Sequence, residues 1–372
     1  MNRSHFLYFF QSTVGLPTTI IRKIACYGDL QFLWEEGTVA DFQALGLSTS
    51  KAQQLCISRS RFDCAKALNL LDQHQIQLIQ ATSSYYPNQL KHIHSPPALL
   101  YAQGNLTILQ NPHKIAIVGT RNLTSYGQRT TGNLINKLAG TNVTIVSGGA
   151  WGIDTLALKS ALDQGMPVIA IIGSGLIYPT PAANHQLYRQ IRQSGLILSE
   201  YPPQTQATKY TFPERNRIIS GISQATIVVE APQKSGALIT ARFALEQGND
   251  VYAIPGPIDA FASAGTNALI ANSEAGAIND LNLLPSILGL GPSQPQLIPN
   301  IDIDTKQLFT LLQKAPQPIG QITKQLNLTL PKTLALLSKM ELQGLVGRDV
   351  NLCYFCSGWG LNALQFCSKF CN

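Results

Sequence analysis

Between Lys114 and Pro255 one pattern recurs: a short apolar run, then glycines and small polar residues, then a helical segment. The runs are Ile115–Val118, Val143–Val146, Val168–Ile172, the short Ile197-Leu198, Thr226–Glu230 and Val251–Ile254. Apolar runs without alternation suit strands buried on both faces, and intervening helices make such strands parallel. The pattern predicts an α/β fold, an extended Rossmann-like, doubly wound parallel sheet. In that architecture the carboxyl ends of the strands share one rim, where ligands bind.

The turns on that rim read as anion-binding. Gly119-Thr120-Arg121, Ser147-Gly148-Gly149, Gly173-Ser174-Gly175 and Lys234-Ser235-Gly236 each follow an apolar run. Glycine admits close approach of backbone amides, and a following helix presents free N–H groups. The cations nearby are Arg121, Lys209, Lys234 and the pair Arg215 and Arg217 flanking Asn216. Arginine's planar fork fits phosphate oxygens. The competing reading makes each arginine a salt-bridge partner of Glu200, Glu214 or Glu230. Tyr126, Tyr178 and Phe212 are candidates to stack bases, with packing beneath a loop as the alternative.

A dinucleotide fold fits poorly. Gly173-Ser174-Gly175 lacks the third glycine and follows a middle strand, and no acidic residue ends the second run to hold a ribose.

At 372 residues the chain calls for more than one domain. Residues 1–70 read as a small helical module of the helix-hairpin-helix or sterile-alpha-motif type. Its few turn-proximal cations (Arg22, Lys23, Lys51) favour packing over DNA contact. Residues 71–285 form the Rossmann-like domain, and the proline- and glycine-rich stretch 286–300 has linker composition. Residues 301–355 read as three helices and a ribbon, a winged helix, with Lys332, Lys339 and Arg348 as its only well-placed cations. Residues 356–372 form a tail. Cys353, Cys356, Cys367 and Cys371 have spacing only loosely like a zinc site, and His92 and His94 lack further ligands, so no metal is expected. The net charge of +7 suits a polyanionic partner without identifying one. Phe6–Phe10 is too short for a signal-peptide core, no run reaches membrane-spanning length, and seven cysteines without a framework suit a reducing cytoplasm.

The motifs in order are Ile115-Ala-Ile-Val-Gly-Thr-Arg121 with Ser125-Tyr126-Gly127, then Ile145–Asp154, then Gly173–Pro179 with Asn184. Ser199–Pro202, Phe212–Gly221, Val229-Glu-Ala231 with Ser235–Thr240, and Pro255-Gly256 with Gly265-Thr-Asn267 complete the series. This series resembles the DNA-processing protein A (DprA, also called Smf) family over about 170 residues. The outer modules also look like that family's, less distinctively. The resemblance implies a cytoplasmic, non-enzymatic protein, without cofactor, that binds and protects single-stranded DNA and loads the RecA recombinase during natural transformation. It further implies a homodimer formed through the α/β domains. Carried over by position, the strand lies on Arg121, Ser147, Gly148, Gly149, Gly173, Ser174, Gly175, Asn184, Lys209, Arg215, Asn216 and Arg217, with Lys234, Ser235 and Gly236 beside them.

Three positions depart from the family pattern. Leu158 replaces a usual histidine, Asn249 a common arginine, and the segment from Pro179 to Asn184 lacks a basic residue, which moves that contact to His185. The tail after Val350 does not look like the family's usual basic wing. The rival reading is a nucleotide phosphoribohydrolase resembling the lysine-decarboxylase-like (LOG) group, with Glu230 or Asp154 acting on a ribose. A third has the sheet only dimerise while the winged helix binds duplex DNA.

Overall fold

Nine strands form one sheet in the order β1-β2-β6-β5-β4-β3-β7-β8-β9. They are β1 (Gln77–Gln80), β2 (Leu99–Gly104), β3 (Lys114–Val118), β4 (Thr144–Ser147), β5 (Val168–Ile171), β6 (Leu196–Ser199), β7 (Ala225–Val228), β8 (Asp250–Ala253) and β9 (Gly276–Ala277). From β6 to β9 all neighbours are parallel, while β2 runs antiparallel to β6 and β1 antiparallel to β2. The computed structural model describes residues 1–290, 307, 308, 310–312, 315–342, 346–348 and 353–356.

The apolar runs are buried on both sides because each residue feeds one of two cores. Ile115, Ile117, Ile145, Val168, Ala170 and Ile227 point into one, and Ala116, Val118, Val146, Ile169, Ile171 and Val228 into the other. This period-two division turns an unalternating run into a fully buried strand. Helices cover both faces: α7 (Ser125–Leu138) and α8 (Ile153–Asp163) supply the first core, and α10 (Thr211–Gly221) and α11 (Gly236–Glu246) the second.

The N-terminal helices are α1 (Arg3–Thr13), α2 (Thr18–Ala25), α3 (Leu30–Glu35), α4 (Val39–Ala44), α5 (Thr49–Ser60) and α6 (Cys64–Gln73). The apolar run Phe6–Phe10 lies on α1 and is fully buried, with Phe9 and Phe10 against Trp34 at ring distances of 5.3 and 4.9 Å. The module shares the first core with the sheet. Tyr8 meets the Tyr101 ring of β2 edge-on at 5.8 Å, and the Tyr101 hydroxyl donates to Gln11 Oε1 at 2.6 Å. Accordingly Met1–Gln294 forms one compact unit.

The second unit spans Pro295–Asn372. Within it, helices Ile319–Leu326 and Leu330–Leu342 precede strands Val346–Arg348 and Cys353–Cys356, which pair antiparallel. A further short strand, Gln317–Pro318, joins the ribbon's other edge. Leu308, Leu312, Ile322, Leu337 and Met340 fill its small core, giving a winged helix. Most of the linker composition and of the cysteine-containing tail, Cys367 and Cys371 included, lies outside the described residues. Among the described residues no group of three metal-binding side chains forms, and no helix is long and apolar enough to cross a membrane.

Candidate nucleic-acid interface

Chain order in the sheet reverses between β3 and β7: β4, β5 and β6 follow on one side, β8 and β9 on the other. The connections leaving β3 and β7 diverge there and open a crevice at the strands' carboxyl ends. A cleft of about 640 Å³ occupies that place. Gly119, Thr120 and Arg121 line it from β3, Phe212, Arg215 and Asn216 from α10, and Lys234, Ser235 and Gly236 from the start of α11.

Three of its cations are exposed. Arg121 sets its guanidinium over the Phe212 ring at 5.4 Å, and Lys209 holds its ammonium 5.1 Å from the Tyr210 ring. Lys234 stands at the entry to α11, whose N-cap Ser235 accepts from the Ala237 amide. The ion pairs Arg217–Glu200 and Arg242–Glu246 involve none of these three cations, and among the described residues none of the three has a carboxylate within ion-pair distance. The cleft therefore presents three exposed cations without ion-pair partners beside aromatic faces and one helix N-terminus, with the buried carboxyl of Asp154 also in its lining.

Its turns are fastened from below by buried carboxylates. Asp154, in the first turn of α8, accepts from the Gly148 amide at 3.2 Å, and the Gly119 and Ala150 amides also bond to it. Burial pushes the Asp154 carboxyl up to about 6, against the opposing pull of Arg215 and those amides. Glu230, at the end of β7, accepts from the Thr124 amide at 3.0 Å and from its hydroxyl at 2.6 Å, holding the entry to α7. Glycine is required where these turns close. Gly152 has φ +82°, and a β-carbon there would sit 2.3 Å from the Thr120 carbonyl oxygen.

The two arginines of α10 part company, because side chains two residues apart on a helix project about 200° from each other. Arg215 turns toward the rim and is buried: its guanidinium donates to the Gly148 carbonyl at 2.6 Å and to the Ile171 carbonyl, and its Nε to Asn216 Oδ1 at 3.2 Å. Arg217 turns away and is held on both oxygens of Glu200 at 2.8 and 2.7 Å. It borders a separate cavity with Thr18 and His94. Its cation is the salt-bridge partner foreseen by the competing reading and does not reach the cleft.

Of the residues named from sequence, Arg121, Lys209, Arg215, Asn216, Lys234, Ser235 and Gly236 come together at the cleft. Ser147, Gly148, Gly149, Gly173, Ser174, Gly175 and Asn184 do not line it. They are buried and hold the framework. Ser147 Oγ donates to the Ile117 carbonyl at 2.7 Å, and the Gly149 carbonyl accepts from Asn184 and Tyr188 at 3.0 and 3.1 Å. The Gly173–Gly175 loop lies under Pro202–Thr205, where the Gly175 amide donates to the Thr205 carbonyl at 2.8 Å. Those glycines permit close packing of protein on protein rather than a phosphate cradle. Tyr126 is tied to the Pro255 carbonyl at 2.6 Å, the packed alternative, whereas Phe212 lies in the cleft. Thr120, part of the first anion-binding turn, lines the cleft, as do Ile239 and Thr240 of α11, which enter the sequence reading only within the Ser235–Thr240 motif and not as site residues. The four-residue step from Ser235-Gly236 to Ile239-Thr240 was the available signal.

The departures have structural roles. Leu158 is fully buried in the first core, and Asn249 donates to the Ser220 carbonyl at 3.0 Å near the end of α10. His185 is exposed at the start of α9 (His185–Ser194), away from the cleft lining.

Two family models match the chain: DNA recombination-mediator protein A over residues 77–286, and the DprA winged helix domain over residues 292–349. The DNA processing protein DprA of Bacillus subtilis is 43% identical over 183 residues, 49% of this chain and 62% of that protein. Protein Smf of Synechocystis is 31% identical over 91% of this chain and 95% of its own length. The crystal structure of DNA processing protein A from Streptococcus pneumoniae aligns with a TM-score of 0.65 at 33% identity, covering 76% of this chain and 97% of that one. A structure of the Helicobacter pylori protein, described for its single-stranded DNA binding mode, aligns with a TM-score of 0.53 at 32% identity, over 58% and 96%.

Proposed function

This chain belongs to the DNA recombination-mediator protein A (DprA/Smf) family, and on that premise we propose that the cleft between β3 and β7 grips the backbone of single-stranded DNA. The observation that carries the reading is the set Arg121, Lys209 and Lys234, exposed and without carboxylate partners at the place where the sheet's connections diverge. Cations and a helix N-terminus hold phosphates irrespective of sequence. The rings of Phe212 and Tyr210, each beside a cation, suit unpaired bases, whose faces a duplex conceals. The Helicobacter pylori relative's single-strand binding agrees with this assignment.

The chain is a DNA-processing recombination mediator by family. Within that role we assign to it protection of the bound strand, its delivery to the RecA recombinase, and action as a homodimer. The support for these is family membership. Catalysis forms no part of the assignment. The two carboxylates a phosphoribohydrolase would use are taken up structurally, Glu230 by Thr124 and Asp154 by three backbone amides.

An electrophoretic shift with single- and double-stranded oligonucleotides of one sequence, at two salt concentrations, tests the reading. Preferential retention of the single strand, weakened by salt, is expected. The fragment ending at Gln294, one compact unit, retains most of it. Duplex preference, or loss of binding in the fragment, transfers the activity to the winged helix. Release of free base from nucleoside monophosphates would reinstate the enzyme.

A further inference from the structure

The rim carries three exposed aromatic side chains outside the cleft lining. Trp151 is half exposed on the turn after β4, Tyr178 half exposed on the loop after β5, and Tyr210 72% exposed on the connection after β6. Strands β3, β4, β5 and β6 are successive neighbours. All four are parallel, so these three connections leave from the same edge as Arg121. Large aromatics are ordinarily among the more buried residues, and three on successive loops is a concentration that the core does not require.

Each ring is held on a braced support. The Trp151 turn is pinned to the Arg121 loop, where the Ile153 amide donates to the Thr120 carbonyl at 3.2 Å and Gly152 packs on the Arg121 backbone. Tyr178 follows Ile177, whose amide donates to the Pro203 carbonyl at 3.0 Å. Tyr210 precedes Thr211 and Phe212, which lie on Gly173 of the β5 loop, and it carries Lys209 beside its ring.

We infer that Tyr210, between the cleft residues Lys209 and Phe212, and Trp151 and Tyr178, on the loops after β4 and β5, form a base-stacking path that continues the phosphate-binding cleft across the ends of β4 and β5, so that the bound single strand runs across the sheet's strands. The inference rests on the single-strand reading of the cleft and extends it. Two strand spacings of ~4.8 Å carry the path about 10 Å from β3 to β5. That is room for about three nucleotides at the ~3.4 Å rise of a stacked strand. The ligand class follows: unpaired nucleic acid with bases, in preference to a bare polyphosphate or a duplex.

The test measures the affinity of full-length protein for fluorescent oligothymidine and for an abasic oligonucleotide of equal length, across a salt series. Trp151→Ala, Tyr178→Ala and Tyr210→Ala each weaken oligothymidine binding by roughly 5- to 150-fold, leave abasic binding and the salt slope unchanged, and are restored by Phe. Arg121→Ala instead weakens both ligands and flattens the slope. If all three alanine variants bind oligothymidine like the parent while Arg121→Ala is impaired, the path is wrong and the cleft stands. If Arg121→Ala also binds normally, both fail. Loss of abasic binding in the alanine variants shows general damage to the rim and overturns the stacking role.

Discussion

The salt dependence of binding separates the two kinds of arginine on this rim. Removing a surface phosphate contact changes both affinity and its salt slope; removing a buried framework arginine changes stability. Arg121, Lys209 and Lys234 are the exposed cations of the cleft, while Arg215 and Arg217 hold carbonyl and carboxylate groups of the protein itself. With three contacts at about −0.7 each, log K falls against log salt with a slope near −2.1. Raising salt from about 50 to 200 mM then weakens binding ~20-fold. Arg121→Ala leaves two contacts, a slope near −1.4, and a ~7-fold loss over the same range. Fluorescence anisotropy with labelled oligothymidine at five or six salt concentrations reads both numbers directly. Arg217→Ala, assayed at a temperature where it stays folded, keeps the parental slope. A slope that Arg121→Ala leaves untouched, or that Arg217→Ala reduces by the same step, refutes the division into gripping and framework cations.

Loss of the Arg217 side chain leaves Glu200 buried and unpaired, so Arg217→Ala lowers unfolding stability by ~3–5 kcal/mol in denaturant titration, and an Arg217→Met, Glu200→Leu pair recovers much of it. The Asp154 carboxyl, raised by burial to about 6, is neutral below that pH. Its contribution to stability is full below the unfolded value of ~3.9 and is lost as pH rises through 6. A negative charge beside the cleft disappears on the same descent, so oligothymidine binding at constant ionic strength tightens as pH falls from 7.5 to 5. Asp154→Asn abolishes that trend, and an unchanged pH profile in this variant would assign it to another group.

Periodicity made the sheet legible, because an apolar run flanked by glycine admits few structures other than a buried parallel strand. Legibility ended at the side chains of α10. Arg215 and Arg217 look equivalent in a string, and only the helix's rotation sends one beneath Gly148 and the other onto Glu200. The glycine turns misled for a related reason. A residue without a β-carbon serves close approach of any partner, and at Gly175 the partner is the protein's own Pro202–Thr205 segment. Arg121 and Lys234 were found because exposed cations after strand ends need no tertiary information. Asp154 enters the sequence reading as a carboxylate for the rival enzyme; it sits in the first turn of α8, and its hold on the Gly119 and Gly148 amides depends on two strands meeting.

The fastening of the turns by Asp154 and Glu230 has a consequence for energetics. A loop already fixed when the chain folds has little disorder left to surrender on meeting its ligand, so the entropic penalty of association falls on the flexible polymer and on the exposed side chains that grip it. Such a rim acts as a stiff comb drawn against a slack thread: each added nucleotide is ordered one step at a time, and binding strengthens with oligonucleotide length until the teeth are filled.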